Sequence, residues 1–152
     1  MTAPTLVFSW GNPSRGDDAL GPVFSERIEA MGLPGVECLT DFQLQVEHAL
    51  DLKGRERILF VDASLTAAPP FQIGTIEAGR DASFSSHALS PRAVLQAYRD
   101  VEGTEPPPAW LLGIRGERFE LGEPLSVAAT ANLNAAMAWA REWLNHPVSA
   151  CD

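Results

Sequence analysis

Cysteine is almost missing: only Cys38 and Cys151 occur in 152 residues, far apart and without Cys-x-x-Cys spacing. That argues against a disulfide scaffold and against a thiolate zinc site. Cys38 lies in an apolar run and reads as an inert core residue, and Cys151 falls in an expected frayed tail. Basic residues are scarce as well, 11 against 20 acidic ones, for a formal net charge of −9. Phosphate binding draws on clustered Lys and Arg, so nucleic acid is not expected as a partner and a basic or neutral protein surface is. No run of about 18 apolar residues occurs, and no basic segment followed by a long apolar one opens the chain. The expectation is a soluble, cytoplasmic protein without membrane contact. Gly-x-Ser-x-Gly is absent and no Ser-His-Asp or Cys-His arrangement is legible, which disfavours covalent catalysis. Internal repeats and low-complexity blocks are missing too.

What is present is ordinary globular composition, 45% hydrophobic and 20% charged, at a length that fits one domain over 1–152, with a core from about 5 to 144 and a loose tail after Pro147. Strands alternate with helices. Thr5 to Trp10 reads as a strand buried on both faces, and Leu20, Val23, Phe24, Ile28 and Met31 recur at helical spacing up to Gly32. Val36 to Thr40 is a short strand, followed by a helix with Val46, Ala49 and Leu50 on one face. Arg57 to Asp62 is the most apolar strand, and Phe71 to Ile76 alternates like an edge strand with one wetter face. Ser90-Pro91 is an N-cap with proline at the first helical position, opening a helix with Val94, Leu95, Tyr98 and Val101 inward. Trp110 to Ile114 is the last strand. The closing helix, about Ser126 to Asn145, buries a stripe from Leu125 to Leu144, on which Trp139 and Trp143 read as core packing. This order predicts an α/β fold: a three-layer α/β/α sandwich with a mostly parallel five-stranded sheet and one antiparallel edge strand.

The stretch Gly11 to Gly21 organises the rest. It lies where the first strand turns into the first helix, a place where open α/β folds put their chemistry. Its paired Asp17 and Asp18 fall at the helix entrance, where carboxylates commonly cap free N–H groups. Asp41 ends the second strand and Asp62 the third, and His87 precedes the third helix. Parallel strands bring such ends together, so Asp18, Asp62 and His87 can meet. Two carboxylates and an imidazole suffice for an open divalent site suited to nickel or zinc. The carboxylates alone could instead do acid–base work, which needs a raised pKa in one of them. The bland alternatives are a capping His87 and an Asp62 that only accepts backbone N–H bonds. His48 reads as an exposed helix-face residue. A phosphate site at the Gly11 to Gly16 turn is opposed by Asp17 and Asp18, which would repel an anion, and by the lack of a P-loop lysine.

Gly11-Asn12 followed by Asp17-Asp18-x-x-Gly21-Pro22 resembles the N-terminal signature of the hydrogenase maturation endopeptidases, which trim the C-terminal tail from the large-subunit precursor of nickel-iron hydrogenases. Asp62, closing the central apolar strand, and His87, in a Ser-x-His-x-Leu segment, also match that family, as do Gly113-Ile114 and Leu125-Ser126. The resemblance runs over about 5 to 144. It implies a non-serine, non-cysteine endopeptidase acting on a hydrogenase large-subunit precursor, with Asp18 and Asp62 catalytic, and with Asp18, Asp62 and His87 contacting nickel carried in by the precursor, or another divalent metal in the isolated protein. Asn12, Asp41 and Gln43 are the implied substrate contacts. Asp41-Phe42-Gln43 departs from the Asp-Gly-Gly common there, and 43–52 looks closer to the branch serving bidirectional or NAD-reducing hydrogenases. A non-enzymatic nickel-precursor binding module of the same fold is the rival reading.

Overall fold

The structure, a computed structural model, describes residues 2–81 and 89–146. Five strands form one sheet in the order β2-β1-β3-β5-β4: β1 (Thr5–Trp10), β2 (Val36–Asp41), β3 (Arg57–Ser64), β4 (Phe71–Ile76) and β5 (Ala109–Arg115). All pairings are parallel except that of β4, which runs antiparallel on β5 at the edge. The expected architecture is therefore the observed one. β1 is buried at all six positions and β3 at its first five, because both lie inside the sheet with a layer on either face.

One layer is α1 (Leu20–Ala30) and α3 (Val127–Asn145), whose Phe24, Ile28, Leu133 and Ala136 pack on Val7, Leu59, Val61 and Leu112. Trp139 and Trp143 stack 5.6 Å apart within that layer, beside Phe71 and Trp110, which fits their reading as core. The other layer is α2 (Pro91–Glu102) with a 3-10 turn over Val46–Leu52, which cover Phe8, Phe60 and Ala109 with Val94, Leu95, Tyr98 and Leu52. Each such fully buried side chain contributes roughly 1.5–3 kcal/mol. Ser90 and Ser126 cap α2 and α3 by accepting from Ala93 N and Ala129 N. At the far end of α3, the buried Arg57 donates to the carbonyls of Trp143, Leu144 and His146 and lies 4.2 Å over the Trp143 ring. A fixed cation there satisfies carbonyls that have no intrahelical partner and meets the negative end of the helix dipole.

Five expectations need correcting. α1 starts at Leu20, after a 3-10 turn over Gly16–Ala19 in which neither acid caps the turn. The segment after β2 is a 3-10 turn rather than an α-helix. Ala49 and Leu52, three residues apart, are buried, whereas Val46 at the start of the turn and Leu50 are exposed. His48, held between Gln45 N and the Asp41 carboxylate, is buried rather than on an outer face. Val101, expected inward, is 69% exposed, because the residues facing the last turn of α2 are the outward Val46 and Leu50. Cys38 is only half-buried, and burial together with the nearby Glu29 and Glu37 pushes its thiol up to about 11, so it carries no thiolate at neutral pH. Cys151 and the tail after His146 lie outside the described residues.

Candidate functional site

The four parallel strands end together, and their registers place one row of residues across that end of the sheet. Asp41 pairs with Trp10, Ser9 pairs with Val61 so that Trp10 stands beside Asp62, Asp62 pairs with Gly113, and Gly113 pairs with Gln72. Paired residues point to the same face of a sheet. Asp41, Trp10, Asp62 and Gln72 thus share the face covered further down by α2. β2 and β3 lie on opposite sides of β1, so the chain after β1 departs at the point where the strand order reverses, and such a switch point leaves a crevice.

The two neighbouring acids of the first loop have separate jobs. Asp17 is fully buried and accepts four hydrogen bonds: from Ser126 N at 2.7 Å, Ser126 Oγ at 2.8 Å, Glu117 N at 2.7 Å and Arg118 N at 3.0 Å. Burial alone would raise its pKa, but these bonds to the ionised form outweigh it and hold the carboxyl below 3.8. Asp17 is therefore the post that ties the loop after β5 and the start of α3 to the first βα turn. Asp18 has other partners, with Oδ2 accepting from Asn12 N at 2.7 Å and Oδ1 taking no hydrogen bond among the described residues. Gly11 makes that possible. Its φ of +147° is open to glycine, and a methyl there would collide with the Asp18 carbonyl. Gly11→Ala should cost at least about 2 kcal/mol by displacing Asp18, read as an earlier midpoint in urea unfolding; an unchanged midpoint would mean the loop has room that its geometry denies.

Asp62 lies half-buried on β3 beside Trp10. Burial, and then the charge on Asp18, raise the Asp62 carboxyl to about 7, against smaller opposing contributions from Ala63 N–H and Trp10. Asp18 and Asp62 are thus brought close enough to repel. That coupling, with an oxygen of Asp18 uncommitted, is a donor set that a divalent cation would satisfy. Among the described residues no group of three or more His, Cys, Asp or Glu could hold a metal ion, and His87, the third ligand expected from sequence, lies outside them. Asn12 uses Oδ1 to accept from Ser14 N. Asp41 is exposed and accepts from Phe42 N and from His48 Nε2, while His48 Nδ1 accepts from Gln45 N, so the ring is held as the Nε2–H tautomer. Gln43 is exposed beside it. Sequence reasoning overlooked Trp10 and the post at Asp17. The period-2 pattern of β1 places Trp10 on the face of Leu6 and Phe8 and could have found the first, whereas partners 100 residues away gave no local signal for the second.

No family model and no curated protein matches the chain. Solved structures do. The chain is similar to the hydrogenase maturating endopeptidase HybD from Escherichia coli, with a TM-score of 0.72 and 25% identity over 92% of this chain and 91% of that one. It is similar to an endopeptidase from Escherichia coli, with a TM-score of 0.69 and 26% identity over 90% and 88%. The [NiFe] hydrogenase maturation protease HycI from Thermococcus kodakarensis KOD1 shares the fold, with a TM-score of 0.71 and 21% identity over 95% and 94%. No helix among the described residues is long and apolar enough to cross a membrane.

Proposed function

The chain is a relative of the hydrogenase maturation proteases, and from that premise we propose that it is an endopeptidase that docks a nickel-loaded hydrogenase large-subunit precursor and removes its C-terminal extension. The observation that carries this reading is the Asp18 and Asp62 pair, brought from the turn after β1 and from β3 close enough for the charge on Asp18 to raise the Asp62 carboxyl. Nickel is part of the substrate. Asp18 and Asp62, with His87, would contact it, and a cation between the two acids removes the repulsion that burial imposes. Asn12, Asp41 and Gln43 would be contacts for the precursor. The resemblance over 43–52 points to the bidirectional or NAD-reducing branch for the partner.

Hydrolysis needs a group that takes a proton from the attacking water and returns one to the leaving amine. On this reading Asp18 does both, since the proton it accepts is the one the amine requires. Asp62 holds the mark: it must give up its proton for nickel to dock. Precursor affinity should therefore rise with pH and level off above about 7, by up to about tenfold per pH unit below that point. Titration of labelled precursor at pH 6, 7 and 8 measures this, and a flat profile would remove Asp62 from the docking step.

The direct test incubates purified protein with nickel-loaded and with nickel-free precursor. A released peptide from the loaded form alone is the expected result. Tight binding of the loaded form without any peptide would favour the binding-module reading.

A further inference from the structure

Among the described residues, the outer edge of the sheet near Asp62 carries none of the common protections. β4 is Phe71-Gln72-Ile73-Gly74-Thr75-Ile76, six residues without a charge or a proline, and the four from Gln72 to Thr75 are exposed. Arg115 N donates to Pro70 O, which sets the phase of the antiparallel ladder: Gln72, Gly74 and Ile76 bond to β5, and Phe71, Ile73 and Thr75 turn their N–H and C=O groups outward. Among the described residues nothing pairs with those outward groups. Exposed edges are normally blunted by lysine, proline or a bulge because they recruit another strand.

Inward from that edge, a cleft of about 590 Å³ runs over Gln72, Gly74, Leu111 and Gly113 to Asp62. Its floor is glycine at two successive rungs, Gly113 in the row of Asp62 and Gly74 in the next, paired to Leu111. A Cβ on Gly74 would meet nothing within 4 Å. Neither Gly74 nor Gly113 has a positive φ, so the backbone does not require glycine at either place. Their lack of a side chain makes the cleft.

We propose that the precursor's cut-site segment binds here in extended form, adding a strand to β4 through Phe71, Ile73 and Thr75 and then crossing the glycine floor to Asp62. This rests on the peptidase reading above. The crossing spans three strand spacings, roughly 14 Å or four to five extended residues, and main-chain pairing gives affinity with little demand on sequence. The continuity of that edge with a cleft that reaches Asp62 is what selects a peptide substrate over other occupants.

Two variants test it. Gly74→Trp fills the cleft, and Ile73→Pro removes an outward N–H that the ladder does not use, a replacement that edge strands tolerate. Both should keep the parental circular dichroism spectrum and unfold cooperatively. With nickel-loaded precursor as probe, each should raise KM at least about tenfold while kcat stays within about twofold, the pattern of lost uniform binding. Parental KM in both would overturn the proposal even if the wild-type chain trims normally. Absence of trimming by the wild-type chain would instead strike the parent reading. A dimer seen by sedimentation and dissolved by Ile73→Pro would assign the edge to a second copy and also overturn it.

Discussion

Asp62→Asn yields a protein that folds, leaves the nickel-loaded precursor uncut, and is more stable than its parent above neutral pH. The asparagine has the shape of the protonated acid but cannot ionise to take up a cation, so trimming should fall by at least about 10²-fold. The stability effect has the opposite sign. In the folded chain the carboxyl is raised from 3.8 to about 7, so the folded state binds this proton more tightly than the unfolded state does. The contribution is complete below about pH 4 and lost as pH rises through 7, which costs the parent up to ~4 kcal/mol of stability at pH 8. Urea unfolding of metal-free parent and variant should therefore show a gap that opens between pH 4 and pH 7. A constant gap would contradict the buried, repelled carboxylate, and parental processing in the precursor mobility assay would remove Asp62 from the site.

Asp17→Ala should do the reverse, losing stability first. Four donors lose their acceptor at once, and hydrogen bonds to an ionised group are worth more than neutral ones, so the loss should reach about 3–5 kcal/mol, or roughly 10 °C in Tm. Because the folded pKa is lowered, the parent's advantage is present above pH 3.8 and disappears as pH falls through the folded value. Asp18→Ala gives up only the bond from Asn12 N and should cost about 1 kcal/mol or less while stopping trimming. Two adjacent acids would then separate cleanly in one calorimetry series with activity measured alongside. Equal Tm losses at the two positions would refute the division of roles.

Periodicity made most of the elements legible, because it reports which face of a segment is buried whatever lies beyond it. The six apolar-rich residues of β1, the alternation of β4 and the stripe of α3 each occur where their spacing predicts them. The 46–52 segment escaped, since seven residues cannot distinguish a repeat of three from one of 3.6, and with it went the placement of His48, Val46 and Leu50. The acids at the strand ends were legible for a similar reason: parallel strands joined by crossovers must end on the same side. Asp17 and Asp18 could not be told apart, because both sit at one loop and differ only in what the distant 116–126 segment offers them.

The chain's own order of residues thus determined the α/β architecture and the presence of carboxylates at one end of the sheet. These follow from local pattern and composition, which each segment carries with it. Tertiary structure alone decided which acid is a post and which acts on Asp62, in which direction Asp62 is pushed from its ordinary pKa, and that two glycines open a path from the β4 edge to it. Those depend on register between strands and on partners about 100 residues away, and such distances are set only when the sheet closes.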